Sequence, residues 1–180
     1  MFKKLKNNNS GFTVLELVTV TAIMVALLVL VVTNFRGFDI NSALELEADK
    51  ISSVLRQAQI LALTGQTVSG QRYNYGAHFE ECVSESCNYI LFFDNNNNKF
   101  YNFGEEYGQG IFQIATGVKI NSLSPVAGIN LDIVFEAPLG DAYFNDSISE
   151  DQARIILKHD KSSAQKIISV DRVSGRINIQ

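Results

Sequence analysis

The stretch that decides the fold runs from Phe12 to Val32, FTVLELVTVTAIMVALLVLVV, directly after the polar segment MFKKLKNNNSG at residues 1–11. A single charge, Glu16, interrupts these 21 residues, and the threonines can return their hydroxyl hydrogen bonds to their own helix. At about 1.5 Å per residue such a helix reaches roughly 30 Å, the thickness of a bilayer's hydrocarbon core. One transmembrane helix is therefore predicted over residues 12–33. Lys3, Lys4 and Lys6 precede it, whereas Asp39, Glu45, Glu47 and Asp49 dominate the residues on its C-terminal side, with Arg36 the nearest exception. The positive-inside bias then keeps the N-terminus in the cytoplasm and exports the rest of a single-pass chain.

An ordinary secretory signal carries its cleavage site after the apolar stretch. Here Gly11 stands before it, followed by Phe12 and, four residues further, by Glu16. A basic leader, that glycine, a phenylalanine and a glutamate ahead of an apolar run resemble the type III signal of type IV prepilins and pseudopilins. The resemblance implies cleavage between Gly11 and Phe12 by a prepilin peptidase, with N-methylation of the new Phe12 terminus. It also implies assembly with other pilin or pseudopilin subunits on an inner-membrane platform, into a periplasmic or extracellular filament. In that family Glu16 of one subunit would face the Phe12 amine of its neighbour and set the stagger between helices. The cost of the residue supports a role for it independently, since a charge at the centre of a membrane helix costs about 2.5–3.5 kcal/mol on insertion scales. The alternative is a signal anchor whose Glu16 is solvated by the headgroups of membrane lipid.

Downstream, Leu44, Ala48, Ile51, Leu55, Ala58 and Ala62 recur at spacings of four and three, the stripe of an amphipathic helix. Glu45, Glu47, Asp49, Lys50, Arg56 and Gln57 are assigned to its opposite side. Residues 34–65 thus read as a continuation of the helix that ends near Gly65. From Gln71 the pattern turns to short β-rich runs separated by Gly, Asn, Asp and Ser. Strands are expected at Arg72–Phe79, Tyr89–Phe93, Lys99–Phe103, Gly117–Leu123, Asn130–Glu136, Ala153–His159, Gln165–Asp171 and Arg176–Ile179. The expected class is α+β, a long N-terminal helix packed against an exported antiparallel β domain at residues 66–180. The runs FEAPLGDAYF, ARIILKH and VSGRINIQ near the C-terminus resemble the closing strands of GspH/FimT-type minor pseudopilins and pilins. The Asn-rich segment and the cysteine pair are not hallmarks of that group.

Cys82 and Cys87 lie five apart in the part assigned to the exported side, where disulfides persist. A local bridge closing the loop VSES fits better than a zinc shell, which two thiols without a nearby histidine pair do not complete. Two free thiols packed as small hydrophobes are the alternative. The segment DNNNNKFYNFGE, Asp94–Glu105, reads first as a hairpin turn between Tyr89–Phe93 and Lys99–Phe103. Its second reading is a calcium loop: Asp94, Asn96, Asn98 and Glu105 fall on ligand positions one, three, five and twelve, with Phe100 offering its carbonyl at seven and Asn102 at nine. Against that, Lys99 replaces the turn glycine at position six, both flanks read as strands, and asparagine favours plain turns without any metal. With two carboxylates, calcium affinity would be in the roughly 10⁻⁴–10⁻³ M range.

No catalytic constellation stands out. His78 and His159 are the only histidines, neither sits in a metal-spaced cluster, and no nucleophile-elbow, zinc-protease or P-loop pattern is present. Charge is divided unevenly: residues 12–151 hold 6 Lys/Arg against 17 Asp/Glu, and residues 152–180 hold 6 against 2. Arg154, Lys158, Lys161, Lys166, Arg172 and Arg176 could form a basic face for DNA, but without residues 1–11 the chain holds 12 Lys/Arg against 19 Asp/Glu, a net charge of −7 that opposes nonspecific attraction to nucleic acid. The reading is a non-enzymatic minor pilin or pseudopilin of a type II secretion pseudopilus or type IV pilus. The alternative is a major or competence-type pilin that binds DNA during uptake.

Overall fold

The computed structural model describes residues 13–82, 87–125, 129–147 and 149–180, with side chains described outside 32–39. The chain is α+β. Among the described residues one helix, α1 (Val14–Leu63), is followed by antiparallel strands only. The chain divides into a first unit up to Asp39 and a second unit, Ile40–Gln180.

In the first unit every described side chain from Thr13 to Val31 is exposed. The stretch Val14–Val31 meets the length and apolarity of a membrane anchor or of a signal segment. Its valines and leucines are exposed all round, unlike those of an amphipathic helix, whose apolar stripe faces a core.

In the second unit the predicted stripe is the floor of the core. Leu44, Ala48, Ile51, Leu55, Ala58 and Ala62 are all buried, and the alanines let strands approach the helix closely. Glu47 corrects the polar-face assignment, because it is 0% exposed. It lies three residues after Leu44 and four before Ile51, so the 3.6-residue period turns it inward whatever its charge. The helix closes with a Schellman arrangement: Gly65 adopts φ 61, its N–H donates to the Ala62 carbonyl, and the Gln66 N–H donates to that of Leu61.

A small hairpin comes next, β1 (Thr67–Val68) with β2 (Gln71–Arg72), turning at Ser69 and Gly70. The remaining strands are β3 (Asn74–Glu80), β4 (Asn88–Asp94), β5 (Glu106–Gln113), β6 (Val118–Ser124), β7 (Asn130–Phe135), β8 (Ala142–Phe144), β9 (Gln152–His159), β10 (Gln165–Asp171) and β11 (Ile177–Ile179). They form a five-stranded sheet ordered β5-β4-β3-β7-β8 and a four-stranded sheet ordered β11-β10-β9-β6. The expected strands correspond to β3, β4, β6, β7, β9, β10 and β11. Lys99–Phe103 does not form a strand; the partner of β4 is β5, which begins at Glu106.

Alternation along β3 sorts the two faces of the larger sheet. Tyr75, Ala77 and Phe79 enter the core with the helix stripe, so Asn74, Gly76, His78 and Glu80 project from the outer face. Gly76 is required there. A Cβ on it would lie 2.7 Å from the Ile133 carbonyl oxygen and 2.9 Å from Cζ of Phe92, whose ring crosses the glycine.

Candidate functional site

Gly11 and Phe12, the expected processing and methylation positions, lie outside the described residues. Glu16 sits in the first turn of α1. Thr13 caps that turn, its Oγ1 accepting the Glu16 N–H at 3.2 Å while its carbonyl accepts the Leu17 N–H at 3.2 Å. The spacing of Thr13 and Glu16 is that of a capping box, in which a glutamate at the third helical position favours the helix start. Thr19 donates to the Glu16 carbonyl and Thr21 to that of Leu17, both at 3.0 Å, so these hydroxyls are satisfied without water. Among the residues described from Thr13 to Val31, Glu16 is the one ionisable side chain.

Cys82 and Cys87 form the expected disulfide, with Cα atoms 5.7 Å apart. The bridge does more than close residues 83–86, which lie outside the described residues. The Cys82 N–H donates to the Ile120 carbonyl, and Cys82 Sγ accepts the Ile120 N–H, each at 3.0 Å. Glu81 Oε1 accepts the Leu123 N–H at 3.2 Å. The exit of β3 is thereby tied to β6, and hence one sheet to the other.

The Asp94–Glu105 segment is a connection closed by its own side chains. Asp94 accepts the N–H groups of Asn98 and Lys99, both at 3.0 Å, and Glu105 accepts those of Asn95 and Asn102 at 3.1 and 2.9 Å. Asn96 and Asn98 accept the N–H groups two residues on, at Asn98 and Phe100, and their own amide N–H₂ groups both donate to Asn102 Oδ1, at 2.7 and 3.0 Å. Backbone amides captured in this way are unavailable to a ladder, which explains the missing strand at Lys99–Phe103. Asn97 and Lys99 adopt φ 58 and 62. Lysine thus takes the left-handed backbone for which the calcium template uses glycine. The segment brings Asp94, Asn96, Asn98, Asn102 and Glu105 together, but with each carboxylate oxygen accepting a backbone N–H and the amides meeting one another. Among the described residues no three His, Cys, Asp or Glu side chains converge on a point suited to a metal ion. Burial raises the Glu105 carboxyl above the ordinary range, the backbone N–H groups of Asn102 and Asn95 pull it back, and Asp94 adds to the rise.

This connection attaches to the outer sheet face at three places. Asn74 Nδ2 donates to Asn97 Oδ1 at 2.8 Å. Lys99 Nζ lies 3.3 Å from the centre of the Tyr143 ring and 3.8 Å from Asp146. Tyr101 packs on His78 and Phe92, with ring centroids 4.9 and 5.6 Å apart, and donates to Glu106 at 2.5 Å.

His78 is the buried titratable group beneath it, 7% exposed. Directly across from it in the β3–β7 register stands Asp132, whose Oδ1 is 2.7 Å from Nδ1. Glu80, two residues along the same face, brings Oε1 to 3.3 Å from Nε2. Burial works against the charged ring, but the two carboxylates outweigh it and hold the pKa above the ordinary 6.5. The sequence alone does not single out this group, because Glu80 alone is near it in the chain, while Asp132 comes from β7 and Tyr101 from the Asn-rich connection.

The six C-terminal basic residues do not share one surface. Arg154 and Lys158 lie on the outer face of β9, opposite the buried Ala153, Ile155 and Leu157; Lys166 has the core parity of β10; Lys161, Arg172 and Arg176 fall in turns or beside them. Lys119, cross-strand from Lys158, pairs with Asp160 at 3.0 Å. Two open recesses, of about 170 Å³ by Asp49, Ser52, Ser53, Arg56 and Ile179 and about 180 Å³ by Lys119, Asn121, Lys158, His159 and Asp160, are both below the roughly 300–1,000 Å³ usual for small-ligand sites.

No family model matches the chain, and no curated protein or solved structure matches it. Among the described residues its class rests on its own elements, an exposed apolar N-terminal helix, a small hairpin, a five-stranded and a four-stranded antiparallel sheet, and one disulfide.

Proposed function

We propose that the chain is a non-enzymatic pilin-like subunit, a minor pilin or minor pseudopilin of a type IV pilus or type II secretion pseudopilus, matured after Gly11 and assembled through its N-terminal helix. One observation carries this reading. The exposed apolar stretch of α1 contains a single ionisable side chain, Glu16, placed in the first helical turn, five residues after Gly11. For a helix serving only as an anchor a carboxylate there makes insertion harder, and its one local return is at the helix start, which a glutamate at that position favours. Supporting features are the α1 stripe beneath antiparallel sheets and a disulfide suited to an exported domain. The proposed partners are a prepilin peptidase, sibling subunits, the inner-membrane assembly platform and lipid. The DNA-binding alternative draws on Arg154 and Lys158 as a shared outer face.

Glu16→Ala tests the reading in cells that lack the native copy. Membrane insertion should be undiminished while crosslinking into filaments is lost. Incorporation at the level of the unaltered chain would reduce Glu16 to a capping residue and overturn the proposed assembly role.

A further inference from the structure

Both ring nitrogens of His78 face carboxylate oxygens, Nδ1 that of Asp132 at 2.7 Å and Nε2 that of Glu80 at 3.3 Å. A neutral imidazole has one N–H, so in either tautomer one lone pair would be directed at a carboxylate. The imidazolium donates to both. Its ring also supports Tyr101, the side chain that rests the C-terminal half of the Asn-rich connection on the outer sheet face, where Phe92 meets it too, while the Glu105 carbonyl accepts the Phe93 N–H at 2.9 Å. We propose that residues 95–105 form a pH-dependent latch: protonated His78, clasped between Asp132 and Glu80, holds Tyr101 on the outer face of the five-stranded sheet, and loss of the proton releases that part of the connection.

The groups facing His78 leave it as the one that switches. Asp132 comes from β7, Glu80 from its own strand, and Tyr101 from the connection, with Glu106 and Glu105 next to the Tyr101 ring. Burial, aided by the bond to Glu106, pushes Tyr101 up to about 12, so its hydroxyl keeps its proton. The same bond holds Glu106 below the usual carboxylate range, so it stays charged. Because the folded-state pKa of His78 is raised, its stabilisation is fully present below the unfolded value near 6.5 and is lost as pH rises through the folded value. The latch is closed below the unfolded value and loosens as pH rises through the folded one. Asn97 on Asn74 and Lys99 on Tyr143 hold the other half of the connection independently of this proton.

The test is NMR titration of the full chain in detergent micelles, following the His78 ring nitrogens, the Tyr101 ring and the amides of residues 95–105. The expected result is one shared midpoint above 6.5, with amide-exchange protection of residues 100–104 falling about tenfold across it after correction for intrinsic base catalysis. His78→Gln should abolish the step. Glu80→Gln, at a half-exposed position, should move the shared midpoint down by about one pH unit. The inference is overturned if His78 titrates without any response in Tyr101 and residues 100–104, or if their opening keeps its midpoint in Glu80→Gln.

Discussion

Glu47 and Gly76 carry constraints that their residue types alone do not announce. The Glu47 carboxylate is buried in the helix–sheet junction, where Oε2 accepts the Ala115 N–H at 3.3 Å and meets Lys50 Nζ at 3.2 Å, while Oε1 has no hydrogen-bond partner. A buried charge satisfied on one side is a poor source of stability. Glu47→Gln keeps an acceptor for Ala115 but breaks the pair with Lys50 and puts an amide N–H₂ where Oε1 has no partner, so thermal unfolding in detergent should show a loss of about 1–3 kcal/mol; a gain would show that burying the charge is the larger cost. Gly76→Ala should cost about 1–3 kcal/mol, since the new methyl meets the Ile133 backbone oxygen, which cannot rotate away. An unchanged unfolding temperature would contradict the close packing of Phe92 across that position. Reading Glu47 by type puts it with its exposed neighbours Glu45 and Asp49, whereas its place in the period puts it between Leu44 and Ile51.

At the scale of elements, periodicity was legible where one face is buried and obscure where side chains bind backbone. The stripe from Leu44 to Ala62 and the alternation of β9 stand out because each has one apolar face. β5, EYGQGIFQ, contains two glycines and lies outside the expected strands, yet it pairs with β4 across a register shift between Ile90 and Phe92. FYNF, by contrast, has the aromatic alternation of a strand while its neighbours cap the amides a ladder would need. The five-residue cysteine spacing made the disulfide readable, but its tie to Ile120 depends on sheet pairing. By loop-closure entropy the bridge should contribute about 2 kcal/mol, and Cys82→Ala with Cys87→Ala should lower stability by that amount in denaturant titration; no change would mean that the β6 hydrogen bonds hold the junction alone. In the Asn-rich connection the amides of Asn96 and Asn98 already converge on Asn102. Millimolar calcium should therefore leave the unfolding temperature unchanged and release no binding heat. A raised temperature with a measurable heat would show that those amides give way to a cation held by Asp94 and Glu105.

For the whole molecule, the α+β class arises from two periods in one chain, an unbroken helical stretch and then alternating runs punctuated by Gly, Asn and Asp. Which strands share a sheet was not readable in this way, because β3 pairs with β7 and β6 with β9 across intervening strands. The His78 group was hidden for the same reason, its principal partner lying 54 residues away. The proposed function depends most on Gly11 and Phe12, where maturation would turn a signal-like leader and an apolar helix into an assembly-competent subunit. Intact-mass measurement of the membrane-extracted protein tests that step directly. The expected mass lacks residues 1–11 and starts at Phe12, with or without one methyl group; retention of Met1, or trimming beyond residue 32, would contradict the pilin-like reading.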